Sequence, residues 1–191
     1  MNASYANILR IRIKCICFNP ITSISLYLSW LDRLITLCIK PDTLTTAQAQ
    51  EICDKFENTV LCSTEQEMLE LFLGLVDDAD IFTGWNSEGF DIPYTVNRIT
   101  RILGKDYNRQ WCLWGKHPKA REYEKFGKTA VTYDLIGRVH LDYLELYQKY
   151  TYHELHTYRL DYVGEIELGE RKTQYEGTLD QLYNKIGRAH V

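Results

Sequence analysis

Residues 8 to 17, Ile-Leu-Arg-Ile-Arg-Ile-Lys-Cys-Ile-Cys, alternate basic and apolar side chains, the period of a strand with one face buried. Asn19-Pro20 interrupts that pattern as a turn signal. Two β-rich runs, 21 to 31 and 34 to 39, flank Asp32-Arg33 and predict an antiparallel hairpin, so three strands are expected to open the domain.

Beyond residue 44 the period lengthens. Residues 45 to 58 read as a helix, with Thr45 or Thr46 as its cap and Ile52 and Phe56 on its apolar side. A short strand is expected at 60 to 62. Ser63-x-x-Gln66 has capping-box spacing, and Met68, Leu69, Leu71, Phe72 and Leu75 mark the buried stripe of the helix that follows. A strand over 80 to 85 and a helix over 92 to 103, ended by Gly104, continue the order. Antiparallel strands leading into alternating helices and strands predict an α/β domain with a mixed sheet.

Residues 105 to 121 turn basic and irregular, which predicts a long surface loop. A second hairpin is expected over 122 to 136 around Phe126-Gly127, then helices at 141 to 150, 160 to 166 and 178 to 186. The pattern contains no internal repeat.

Composition narrows the class. A chain of 191 residues with 45% hydrophobic and 25% charged content suits one domain able to bury its own core. A formal net charge of −4 provides no global positive field for phosphates, which argues against a stand-alone duplex binder. It leaves room for a nuclease whose metal ions bring their own charge. Six cysteines without a C-x-x-C pair predict reduced thiols and a cytoplasmic setting. The longest uncharged stretch, 15 to 31, is broken by Asn19-Pro20 and falls short of the roughly 20 apolar residues of a bilayer span, so no membrane partner is expected.

The segment with the most chemistry is Phe82-Thr83-Gly84-Trp85-Asn86-Ser87-Glu88-Gly89-Phe90-Asp91-Ile92-Pro93-Tyr94. A strand ends, a loop turns, and an aspartate reaches the start of a helix. Ligands in open α/β sheets gather at the carboxyl ends of strands, so Asn86 and Asp91 fall where a site forms. The plain structural alternative makes Asp91 an N-cap before Ile92-Pro93, Phe90 and Tyr94 core residues, and Asn86 a turn residue.

The run T-G-W-N-x-E-x-F-D-I-P-Y resembles the second exonuclease motif of family B DNA polymerases, especially the phage-type replicative enzymes. Further matches occur in the family's order. Asn19-Pro20-Ile21 resembles the stretch after the first motif, and Leu141-Asp142-Tyr143-Leu144-Glu145-Leu146-Tyr147 resembles an L-D-Y-x-x-L-Y segment. Thr157-Tyr158-Arg159-Leu160-Asp161, then Glu167-Leu168-Gly169, resemble S-Y-S-L-D and E-L-G. The resemblance spans residues 19 to 185 and implies a truncated ribonuclease-H-like α/β domain with a mixed sheet and flanking helices. It implies 3′→5′ proofreading, by metal-dependent phosphodiester hydrolysis, within a DNA-directed DNA polymerase. Asp91 would be the catalytic, metal-binding carboxylate, and Asn86, Phe90 and Tyr94 would hold the substrate. The cofactor implied is a pair of Mg2+ or Mn2+ ions. The partners implied are a single-stranded DNA 3′ end, primer–template DNA and the remaining polymerase domains, in the host cytoplasm if the source is viral.

Two ion-binding motifs of the family are not matched. The first is Asp-x-Glu on the opening strand, whereas no Asp or Glu precedes Asp32 here and the strand carries Arg10, Arg12 and Lys14. Residues 1 to 18 are therefore read as an N-terminal segment that does not match the family, from a wrong start or frame. The second, Tyr-x-x-x-Asp, is expected beyond the helix that starts near Thr178. Residues 186 to 191, Ile-Gly-Arg-Ala-His-Val, correspond to the codons ATC GGA AGA GCA CAC GTC of a sequencing adapter and are read as an artefactual tail. The fragment alone is expected to be inactive, with Asp142 and Glu145 as acidic neighbours that a helix N-terminus also explains. Two other readings are an inactive ribonuclease-H-like module that binds single-stranded nucleic acid, and a small independent exonuclease with a substitute carboxylate cluster around Asp91.

Three weaker patterns complete the reading. The hairpin around Phe126-Gly127 falls where phage-type polymerases carry a hairpin that helps move the primer end, and its flank of Lys119, Arg121, Lys125 and Lys128 is either phosphate-facing or merely solvated. His153 and His156 could share a helix face but lack H-E-x-x-H spacing. Gly164, Gly169 and Gly177 read as turns.

Overall fold

Strand β1 (Ile8–Lys14) runs antiparallel to β2 (Ser23–Leu28) on one side and parallel to β5 (Ile81–Gly84) on the other. This is seen in a computed structural model that describes residues 8–14, 19–125, 128–172 and 177–178. β2 continues antiparallel into β3 (Arg33–Ile39), and β4 (Thr59–Cys62) joins β3 in parallel. On the far edge β8 (Val139–Asp142) lies parallel to β5, giving the six-stranded order β4-β3-β2-β1-β5-β8. The mixed α/β sheet expected from the sequence is present.

Local chemistry explains where the elements begin. Helix α1 (Thr46–Cys53) is capped by a full box between Thr45 and Gln48. Helix α2 (Glu65–Leu75) starts at Thr64, whose hydroxyl accepts the Glu67 N–H, while Glu67 reaches back to the Ser63 N–H at 2.7 Å. Helix α3 (Asp91–Ile102) ends before Gly104, whose φ of 103° is open to glycine. The hairpin β6 (Lys119–Lys125) and β7 (Lys128–Asp134) forms a separate two-stranded sheet, and α4 (Tyr143–Tyr150) and α5 (Leu160–Leu168) follow β8.

The core lies between the sheet and α2–α3. Ile24, Leu26 and Leu28 alternate inward along β2 and meet Met68, Leu69, Phe72 and Leu73 of α2. Trp111 is fully enclosed, with ring centroids 5.3 Å from Phe72 and 5.2 Å from Phe82. Burying one such ring stabilises by about 1.5–3 kcal/mol relative to leaving it wet. Polar pins orient the layers. Glu65 pairs with Arg98 of α3 through Arg98 Nε at 2.8 Å and also accepts the Ile21 N–H at 2.8 Å. Arg138 donates to the carbonyls of Val76 and Asp77 at 2.5 and 2.7 Å, stapling the C-terminal end of α2 beside the entry to β8. Burial lowers the Arg138 pKa.

Several expectations need correction. The capping-box serine and glutamine are replaced by Thr64 and Glu67, one residue later, because the helix starts at Glu65. Leu71 is exposed and Leu73 is buried instead, since the helix turns its 68, 69, 72, 73 edge to the sheet. The first helix stops at Cys53 rather than Asn58. The segment read as a surface loop contains a 3-10 helix, Lys105–Trp111, anchored by buried Asn108 and Trp111, and β6 already begins at Lys119. Residues 139 to 142, expected partly as helix, form strand β8 because they pair with β5. His153 and His156 lie on no helix, and Gly164 sits inside α5, whereas Gly169 takes the left-handed turn at its end. Cys15, Cys17, Phe126-Gly127 and the helix expected at 178 to 186 fall, apart from Thr178, outside the described residues.

Cys38, Cys53, Cys62 and Cys112 are free, and burial pushes the Cys38 thiol up to about 12. Among the described residues no helix is long and apolar enough to cross a membrane.

Candidate active site

β5 ends at Gly84, and six residues, 85 to 90, carry the chain to the first turn of α3. Asn86 adopts φ of 57°, a left-handed conformation that asparagine tolerates better than most residues, and this turn lets the chain fold back over the sheet edge. Asp91 is not the helix cap. It is the first residue of α3, while Phe90 occupies the cap position without a side-chain cap bond. The Asp91 carbonyl accepts the Thr95 hydroxyl at 2.7 Å, and its side chain is buried with 6% relative exposure. A carboxylate in the first turn lies at the positive end of the helix dipole.

Phe90 and Tyr94, one helical turn apart, stack with centroids 5.5 Å apart, and the Tyr94 hydroxyl donates to the Asn19 carbonyl. Both rings are half-buried, neither sealed in the core nor fully wet. Trp85 turns the other way. Its indole N–H donates to the Tyr158 carbonyl at 3.1 Å and its ring meets Tyr147 at 5.7 Å, which ties the loop to α4 and to the segment before α5.

The loop is held by Asp142, at the end of β8. This buried carboxylate accepts the N–H groups of Asn86 at 2.9 Å, Glu88 at 3.0 Å and Leu144 at 3.0 Å, so it caps α4 and clamps the turn at once. Three charge-assisted bonds account for its conformation as a structural anchor. Next to it, Ser87 is enclosed, its hydroxyl 2.9 Å from His140 Nε2 and donating to the Gly84 carbonyl at 3.2 Å. Burial lowers the His140 pKa, with Asp142 and Glu88 acting in the opposite direction.

The hairpin closes the other side. Thr132 Oγ1 donates to the Glu88 carbonyl at 2.8 Å, and Arg121 contacts the Glu88 carboxylate while its Nε donates to Asp134 at 2.9 Å. Arg121, read from sequence as phosphate-facing or solvated, is thus committed to two carboxylates. Gly89 leaves room for this approach, because a Cβ there would lie 2.9 Å from Asn86 Oδ1 and 3.3 Å from the Tyr123 hydroxyl.

Asn86, Phe90, Asp91 and Tyr94 therefore belong to one loop-to-helix junction. Sequence reasoning did not single out Glu88, Ser87 and His140. Their only signal was adjacency to the motif and alternation along β8, and neither identifies a partner distant in the chain. Among the described residues no three His, Cys, Asp or Glu side chains form a group able to hold a metal ion.

The exonuclease domain of DNA polymerase family B matches residues 16–163. The "DNA-directed DNA polymerase" of Enterobacteria phage T4 is 33% identical over 140 residues, 70% of this chain and 15% of that protein. The "DNA-directed DNA polymerase" of Escherichia phage RB69 is 35% identical over 120 residues, 62% of this chain and 13% of that protein. A "DNA polymerase" of Thermococcus aggregans is 29% identical over 119 residues, 59% and 6% respectively. The chain thus spans a small part of the relatives it matches.

Proposed function

The chain belongs to the exonuclease domain family of family B DNA polymerases, and on that premise we propose that it is the 3′→5′ proofreading part of such a polymerase, acting on a single-stranded DNA 3′ end. The observation that carries this reading is the junction after β5, where buried Asp91, left-handed Asn86 and the Phe90–Tyr94 stack meet at the carboxyl edge of the sheet. In this reading the sheet has the ribonuclease-H-like arrangement, supported by three antiparallel strands followed by parallel additions on both sides. We assign residues 19 to 185 to the domain and 186 to 191 outside it; β1 (Ile8–Lys14), within the segment that the family's motifs do not match, is a strand of the same sheet between β2 and β5. Primer–template DNA and the remaining polymerase domains are its partners, in the host cytoplasm if the source is viral.

Exonuclease domains of this family use divalent metals. Two such ions, Mg2+ or Mn2+, need several converging carboxylates. The described residues do not fit that cage by themselves: no metal-holding group forms among them, and the sequence of β1, beside β5, carries Arg10, Arg12 and Lys14. Asp91 is the one member that we assign to the metal site of the intact polymerase. The chain's own contribution is placement. Phe90, supported by Tyr94, offers a face to the terminal base, and the Asn86 amide offers donors and an acceptor to the nucleotide.

A second reading, an inert module that holds single strands, is favoured by the same missing carboxylates. A 5′-labelled oligonucleotide separates the two. In the proofreading reading the chain binds a linear single strand more tightly than a circular one, and Phe90→Ala weakens that binding by about 10-fold or more, the worth of one base stack. Equal affinity for linear and circular strands would remove the 3′-end reading. Magnesium-dependent digestion by the chain alone, abolished by Asp91→Asn, would exclude the inert module.

A further inference from the structure

The loop 85 to 90 touches two bodies that are distant in sequence, and Glu88 meets both. Its N–H is held by Asp142 of β8, its carbonyl by Thr132 of β7, and its carboxylate by Arg121 of β6. Arg121 is itself oriented by Asp134, across the hairpin in register with Lys119, so the guanidinium bridges two carboxylates. Directly beside Glu88, Gly89 allows the Tyr123 hydroxyl to sit over the loop. Both hairpin strands therefore grip Glu88, and Tyr123 of β6 lies over Gly89. These two are among the three residues between Asn86 and the Phe90–Asp91 pair.

We propose that Glu88 is a positioning residue that couples the hairpin β6–β7 to the site, so that the seating of the hairpin sets the placement of Asn86, Phe90 and Asp91. The site half of this statement rests on the exonuclease reading above; the coupling itself does not. A residue whose donor, acceptor and side chain are each taken by a different strand has few conformations left. If the hairpin shifts, the carbonyl and carboxylate of Glu88 must follow or lose their partners. Phe90 is two residues on, and the intervening Gly89 supplies no side chain to resist the movement. The Arg121 side chain is 45% exposed, so salt screening reaches the ionic part of the grip, whereas the Thr132 bond, made by a buried residue, remains.

The test uses the 191-residue chain with Arg121→Ala, which removes an accessible side chain, and Thr132→Val, which keeps shape but removes the donor. Backbone amide exchange is followed at Asn86, Glu88 and, as a reference, at Leu69 and Phe72 in α2. Coupling predicts that exchange at Asn86 and Glu88 quickens by about 10-fold in either variant, with the reference amides unchanged. Arg121→Lys, which keeps the charge, is expected to restore part of the protection at low salt. Unchanged loop amides in both variants would overturn the proposal, and so would equal quickening of loop and reference amides. An oligonucleotide ending in 2-aminopurine then reads the site: Arg121→Ala should change the emission of the bound 3′ base while affinity falls less than twofold. Failure of the wild-type chain to bind this probe counts against the exonuclease reading, while the exchange pattern still decides the coupling.

Discussion

Two glutamate–arginine pairs hold α3 and the loop before it, and they work in opposite ways. Glu65–Arg98 is enclosed between α2 and α3, each side chain at 9% relative exposure, with the Ile21 N–H as an additional donor. Glu88–Arg121 lies at the hairpin, with exposures of 13% and 45%. Water screens the second pair and hardly reaches the first. The inner pair therefore decides whether the layers stay together, and the outer one decides where a loop sits. Breaking each pair should separate these roles.

The largest effect is expected at the inner pair. Arg98→Ala leaves the Glu65 carboxylate buried without that cation and should lower unfolding free energy by about 3–5 kcal/mol in urea titration. A smaller loss, within about 1 kcal/mol, would mean that the pair is as wet as its counterpart. Next comes Asp142→Ala, which frees three N–H groups and removes the cap of α4. It should cost about 2 kcal/mol by the same titration, with 3′-end binding lost. A protein that keeps full binding after this change would not need the loop clamped from the sheet side.

A pH titration ranks third. His140 is held below its ordinary pKa by burial, so the unfolded chain takes up a proton that the folded chain resists. Its contribution is intact above the unfolded value near 6.5 and is lost as pH falls through the lower folded pKa. Thermal unfolding of the wild type should lose stability over that window, and His140→Gln should flatten the slope. The smallest stability effect belongs to the outer pair: Arg121→Ala should change unfolding free energy by no more than about 1 kcal/mol. Together with faster exchange at Glu88, that result would confirm orientation without appreciable stabilisation.

Much of this was readable before any fold was known. The β-rich run 21 to 31 located β2, and the apolar spacing of α2 marked its buried edge within a residue or two, because that period reflects one face turned to the sheet. The motif from Thr83 to Tyr94 located the junction, since strand, turn and helix start are encoded within a dozen consecutive residues. The 3-10 helix at 105 to 111 was missed because its basic, polar surface masks Trp111, whose burial depends on Phe72 and Phe82 from other elements. Strand β8 was missed for a related reason. Its four residues alternate over too short a run to be told from the start of the helix that follows, and pairing with β5 makes them a strand.

The sequence by itself determined the local grammar: which segments alternate, where caps and glycines end helices, and which aspartate follows a strand. Only the tertiary structure decided which side chain answers which backbone group. Asp142, His140, Arg121 and Thr132 reach loop 85 to 90 from more than 30 residues away, and such pairings depend on the sheet order β1-β5-β8 and on the seating of the hairpin. A hydrogen bond acts over about 3 Å, while the spacing of residues along a chain says nothing about distance across it.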